Sequence, residues 1–177
     1  MPRKSLTHLM TTFAGHVIKD VYLPQIIHCL EVLSRAQIWW RPNEASNSVG
    51  NLVLHLEGNV RQWIVSGLGG QPDKRQRDLE FSRRRPMPGR ELAAGLRKTV
   101  GEACRVLRKL SAEDLMRLHS IQNFRVTGLE AAFHVAEHFS HHAGQVILLT
   151  KMLKGKDLKF WRLPDERQNK IRRLQAW

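Results

Sequence analysis

The residues best equipped for chemistry sit in one run, Phe133-His-Val-Ala-Glu-His-Phe-Ser-His-His-Ala-Gly-Gln145, which holds four of the nine histidines. A helix advances about 100° per residue, so positions four apart stand one above the other. His134, His138 and His142 then form a ladder on one side, and His141 lies close to the direction of His134. Two imidazoles at i and i+4 can converge on one ion, the geometry that H-x-x-x-H uses in zinc sites. Two ligands leave an ion underbound, so a third must come from a facing helix. His55 is the candidate, because it lies among Leu52, Leu56 and Asn59 on an apolar helical face. Ring nitrogens there are costly to bury alone. The competing reading is a hydrogen-bonded core histidine.

Three neutral imidazoles around a divalent ion leave a coordination position open, as in catalytic rather than closed structural sites. They suit zinc first, and also nickel, iron or copper. Such an ion can acidify a bound water or bind a thiol as thiolate, the nucleophilic form. Gln145 either orients a ligand or substrate or is an ordinary surface amide. Glu137 reads as a solvated or supporting carboxylate. His8, His16, His28 and His119 carry no functional reading, and Cys104 sits in an apolar pattern that suits a buried structural thiol. No Ser-His-Asp order, phosphate loop or dinucleotide fingerprint is present; Gly67-Leu-Gly-Gly70 is a helix stop.

Four helical patterns must position these residues. The first runs over about 13–37, with Pro24 starting or kinking it. The second starts at a cap within 46–48, carries His55 and stops at Gly67–Gly70. An Arg-rich connection leads to about Pro88, and a third helix spans about 89–110. Ser111-Ala-Glu-Asp114 reads as a capped short turn, and Ile121, Phe124 and Val126 suit extended chain. Thr127-Gly-Leu-Glu130 is a capping box that opens a helix of about 25 residues to Lys154, closed by Gly155. The expectation is all-α: a four-helix bundle over 1–161, followed by a basic tail over 162–177. The long connection between the second and third helices rules out a simple up-down-up-down order.

Composition bounds the rest. A chain of 177 residues, 42% hydrophobic, can bury a core. Two cysteines without a C-x-x-C pair suit a reduced, cytoplasmic setting. No signal-peptide core and no membrane-length apolar segment stand out. The formal charge of +13 permits contact with nucleic acid. The cations gather in two places, 74–90 and 156–173, which read as solvated connection and tail rather than as a DNA surface.

Three stretches, Asn47-Ser-Val-Gly-Asn-Leu-Val-Leu-His-Leu-Glu-Gly-Asn-Val-Arg-Gln-Trp63, Arg77-Asp-Leu-Glu-Phe81 and His134–Gln145, followed by Gly155–Trp161, resemble the DinB-like family of four-helix metal-binding bundles, most closely an uncharacterised bacterial branch. The resemblance implies an up-down-down-up bundle, usually a homodimer. It also implies a metal held by one histidine of the second helix and two of the last. His55 matches the first position, and His138 and His142, preceding Gly144-Gln145, match the pair; His134 and His141 leave that assignment open by one turn. The family includes thiol-dependent S-transferases acting on small molecules with a low-molecular-weight thiol. Three functions follow as expectations: metal-dependent thiol transfer, hydrolysis by a metal-bound water, and a non-catalytic basic nucleic-acid-binding module.

Overall fold

Apolar periodicity closes into four long helical rods in the computed structural model, which describes residues 5–84 and 86–160. The predicted basic tail, 162–177, lies outside the described residues. The first rod joins α1 (Leu6–His16), a wider π-helical stretch (Val17–Tyr22) and α2 (Leu23–Val32). Pro24 sits in the first turn of α2, directly after the π-helical stretch. The single helix expected over 13–37 is corrected at both ends. It begins seven residues earlier, at Leu6, and breaks at Ser34, where a capping box with Gln37 starts the short α3 (Arg35–Trp39).

The second rod is α4 (Val49–Val60), started by Ser48, whose hydroxyl accepts from the Asn51 N–H. It continues through a second π-helical stretch, Arg61–Ser66, and ends at the glycines, Gly70 having φ +70°. The third rod is α6 (Gly89–Leu107). The fourth is α8 (Gly128–Lys154), 27 residues long, opened by the Thr127–Glu130 capping box and closed by Gly155 at φ +61°.

Side-chain pairs fix the directions. Glu57 and Arg61 on the second rod meet Thr99 and Glu102 on α6 in the same order, so these two run parallel. A parallel pair needs the long crossover between them. His55 and Asn59 meet His138 and His134 in reverse order, so the second and fourth rods are antiparallel. Gly15 lies against Cys104 and Leu107, while Leu30 lies against Gly89, so the first and third rods are antiparallel. The order is up-down-down-up.

Leu56, Leu96, Ile26 and Phe139 fill the centre, each fully buried. Cys29 and Cys104 are buried there, and that burial pushes both thiols up, as suits structural residues. Three short elements complete the fold: α5 (Arg77–Ser82) in the crossover, α7 (Ala112–Met116), and a hairpin of β1 (Leu118–Ile121) and β2 (Phe124–Thr127). The hairpin turn places Gln122 and Asn123 at positive φ. Among the described residues no helix is long and apolar enough to cross a membrane.

Candidate metal centre

Successive residues of the second rod, four apart, build one wall of the site. His55 and Asn59 are buried on α4, and Trp63 follows on the π-helical stretch. The i→i+5 bonding of that stretch widens the turn, and such turns recur at functional sites. Trp63 stacks on His134 with ring centroids 3.9 Å apart, and Asn59 Nδ2 donates to His134 Nε2 at 3.3 Å. One turn along, the rings of His55, His138 and His142 form a triangle with centroids 4.5–4.9 Å apart. One nitrogen from each lies within 4.8 Å of the others, so these three could hold a metal ion. His134 is taken by Asn59 and Trp63. His141 is exposed and accepts from Gln145 Nε2 at 3.2 Å. Of the five candidate histidines the structure therefore gathers His55, His138 and His142.

The nitrogens facing inward have the chemistry a cation needs. Glu80 Oε2 lies 2.8 Å from His55 Nδ1. An ionised carboxylate only accepts, so Nδ1 carries the proton and Nε2 keeps its lone pair. Arg75 Nη2, 3.1 Å from the same Nδ1, is a donor converging on the same carboxylate oxygen, which it reaches at 2.8 Å. Gln145 Oε1 accepts from His142 Nδ1 at 2.7 Å, which likewise frees Nε2. Outer partners of this kind orient metal-ligating histidines. The Nε2 atoms of His55 and His138 stand 3.0 Å apart, and the buried His138 Nδ1 has no hydrogen-bond partner among the described residues.

Electrostatics disfavours charge on the half-buried rings of α8. Burial first, then the imidazoles of His142, His55 and His134 and the Arg75 guanidinium, push His138 down to about 3. Burial also lowers His142, against the Gln145 hydrogen bond. It lowers His134 too, against the charge of the exposed Glu137. For Glu80, burial alone would raise the carboxyl, but hydrogen bonds and charge from Arg75 and His55 outweigh it and leave it below the ordinary value.

Glu80 and Arg75 are the residues that the sequence reading missed. Arg75 was expected among solvated connection charges; instead its side chain is 4% exposed. Its Nε meets Glu80 Oε1 at 2.7 Å and its Nη1 meets Gln62 Oε1 at 2.8 Å. Gly58 makes room for the pair: a Cβ there would overlap Glu80 Oε1 and lie 2.8 Å from its Cδ and 3.0 Å from Arg75 Nε. A glycine inside a helix signals such close approach. Gln145, left open between two roles, is exposed and its Oε1 lies against His142 Nδ1. Glu137 is exposed.

The bundle with this arrangement has the DinB-like fold. Two solved structures share it. A DinB-like protein from Bacillus cereus has TM-score 0.62 at 18% identity, covering 76% of this chain and 87% of its own. A DinB-like protein from Bacillus subtilis has TM-score 0.62 at 18% identity, covering 86% and 99%. No curated protein matches. The chain belongs to the family described as "Protein of unknown function (DUF1572)", which matches residues 6–167.

Proposed function

We propose that the protein is a metal-dependent enzyme in which His55, His138 and His142 hold one divalent transition metal, zinc in the first instance. The observation that carries this is three imidazoles meeting from two helices, two with Nδ1 against an outer acceptor. A metal so held supplies a Lewis acid with an open position, able to bind a thiol as thiolate. The chain's own part is to orient: Glu80 fixes the ring of His55, Arg75 fixes Glu80, and Gln145 fixes His142. His138 and His142, only partly buried, leave the centre a route to solvent. The reaction proposed is attack of a thiolate on an electrophilic small molecule, the sulfur forming a new C–S bond while the electrophile's π bond or leaving group takes the electron pair and the thiol proton is released, in keeping with the DinB-like resemblance.

Elemental analysis of purified protein tests the metal. About one equivalent per chain, lost in His55→Ala, is expected, and trace metal in the wild type would defeat the reading. Thiol consumption with added electrophiles then tests the reaction; turnover without thiol would replace transfer with hydrolysis. The same reading takes a second copy of the chain as partner. It is supported by exposed Leu6, Leu9, Phe13 and Phe133 along α1 and α8, and light scattering on a sizing column reads it directly.

A further inference from the structure

Phe81 links the centre to a cluster of positive charge. Its ring packs on His55 with centroids 4.6 Å apart. The guanidinium of Arg77 lies over the Phe81 ring, 5.0 Å from its centroid. The Phe81 carbonyl accepts from Arg41 Nη2 at 2.8 Å and from Arg84 Nη1 at 2.9 Å. Three guanidiniums thus converge on one residue that touches a candidate ligand. Among the described residues no carboxylate lies within ion-pair distance of Arg41, Arg77 or Arg84.

Local structure accounts for part of this cluster. Arg41 and Arg84 cap the carbonyl end of α5, where cations are favoured, and Arg41 also holds Asn51 Oδ1 at 2.7 Å. Their mutual cost is visible: burial and then Arg84 lower the half-buried Arg41, against the pull of Glu44. Arg77 has no such explanation. It is the first residue of α5, the end where a helix disfavours a cation, and among the described residues its side chain meets the Phe81 ring by cation–π contact. Guanidinium groups present paired donors that match the oxygens of a carboxylate or phosphate. A divalent ion beside them would deepen the same positive potential and draw anions toward it.

We propose that Arg77 and Arg84, seated around Phe81, form the recognition rim of the centre, and that the substrate is a small molecule carrying a carboxylate or phosphate. This names the substrate class of the site proposed above and rests on that reading for its chemistry, although the rim itself can be tested without metal.

The test is calorimetric titration of chelator-treated full-length protein with malonate and with inorganic phosphate at low salt. Arg77→Gln and Arg84→Gln are compared with wild type, and Arg97→Gln serves as a remote control with the same loss of charge. Both rim residues are exposed, so the fold is retained. The expected result is about tenfold weaker binding of one probe in each rim variant, the size of one lost charge-assisted contact, with the control unchanged. The probe that binds tighter identifies the group. Equal affinity in rim variants and wild type, or equal weakening in the control, would overturn the proposal.

A parallel arm uses cobalt-loaded protein, with the cobalt absorption bands as readout. The bands should shift at lower concentrations of 3-mercaptopropionate than of 2-mercaptoethanol, and Arg77→Gln should erase the difference. Rim-dependent anion binding without any cobalt spectrum would uphold the rim and sink the metal. A cobalt spectrum with rim-independent anion binding would do the reverse.

Discussion

Glu80→Gln separates the two tasks that the structure gives this carboxylate. Its oxygens take His55 Nδ1–H at 2.8 Å and two Arg75 donors at 2.7 and 2.8 Å, in a pocket where the His55, Glu80 and Arg75 side chains are 6%, 10% and 4% exposed. Glutamine has the same shape but one oxygen, and its amide hydrogens face donors. The buried Arg75 charge is then uncompensated, a change that costs about 3–5 kcal/mol. For a chain of this size that lowers the melting temperature by roughly 6–20 °C. His55 also loses its charged acceptor, and loss of an outer partner typically weakens metal binding about 10–100-fold. Thermal denaturation followed by circular dichroism in chelator reads the first effect, and competition against a chromogenic chelator reads the second. The double variant Arg75→Met/Glu80→Met removes both buried charges at similar volume, and should recover much of the stability but none of the affinity. If Glu80→Gln binds metal within about twofold of wild type, outside the range expected for an outer partner, or if the double variant regains affinity, positioning of His55 by Glu80 is refuted.

Three further predictions concern the same framework. The depressed His138 makes stability fall with acid: below the ordinary imidazole value the unfolded chain binds a proton that the folded chain refuses down to about 3. Urea denaturation of chelator-treated protein should therefore show declining stability as pH drops from about 6.5 toward 3, with a shallower decline in His138→Asn. Gly58→Ala gains helix propensity worth about 1 kcal/mol, yet its methyl collides with the pinned Glu80 carboxylate. Lower stability and weaker metal binding are expected, and a stabilised variant with unchanged affinity would show that the pair moves aside. Phe139→Ala, which truncates a fully buried ring of α8, should cost about 3–5 kcal/mol in chemical denaturation.

The rods were legible because each carries apolar periodicity, and the second and fourth also carry a start signal. Ser48 and the Thr127–Glu130 box lie where the sequence places them, and the i, i+4 spacing of His138 and His142 gave the last-helix pair. Pairing with His55, 83 residues away, is a property of packing between rods; in the sequence a histidine on an apolar helical face, together with the family resemblance, pointed to it. Arg75 and Glu80 were illegible for a related reason. They belong to the crossover, whose helix among the described residues, α5, is six residues long and too short to show periodicity. Among so many cations a buried arginine looks like a solvated one. The signal available was Gly58, a glycine inside an otherwise strong helix, which marks the seat of a side chain arriving from elsewhere. The π-helical stretch that turns Trp63 toward His134 left no sequence mark that periodicity could read.

A core cluster of histidines and an ion site make different demands on the same rings. A hydrogen-bonded cluster is satisfied when every nitrogen meets a complementary group. Here Glu80 and Gln145 occupy the outward nitrogens of His55 and His142 and leave lone pairs facing each other across the centre. One proton can bridge His55 and His138 at 3.0 Å, but it cannot also serve His142, and a second proton would charge a ring that burial and its neighbours keep neutral. Protons can therefore satisfy the triangle only two corners at a time. A single cation accepts all three lone pairs at once, while the one proton of the neutral His138 ring moves to its other nitrogen, so no ring has to gain charge. The outward carboxylate and amide suit the metal site proposed above, because they leave acceptors of His55 and His142 turned toward one common point.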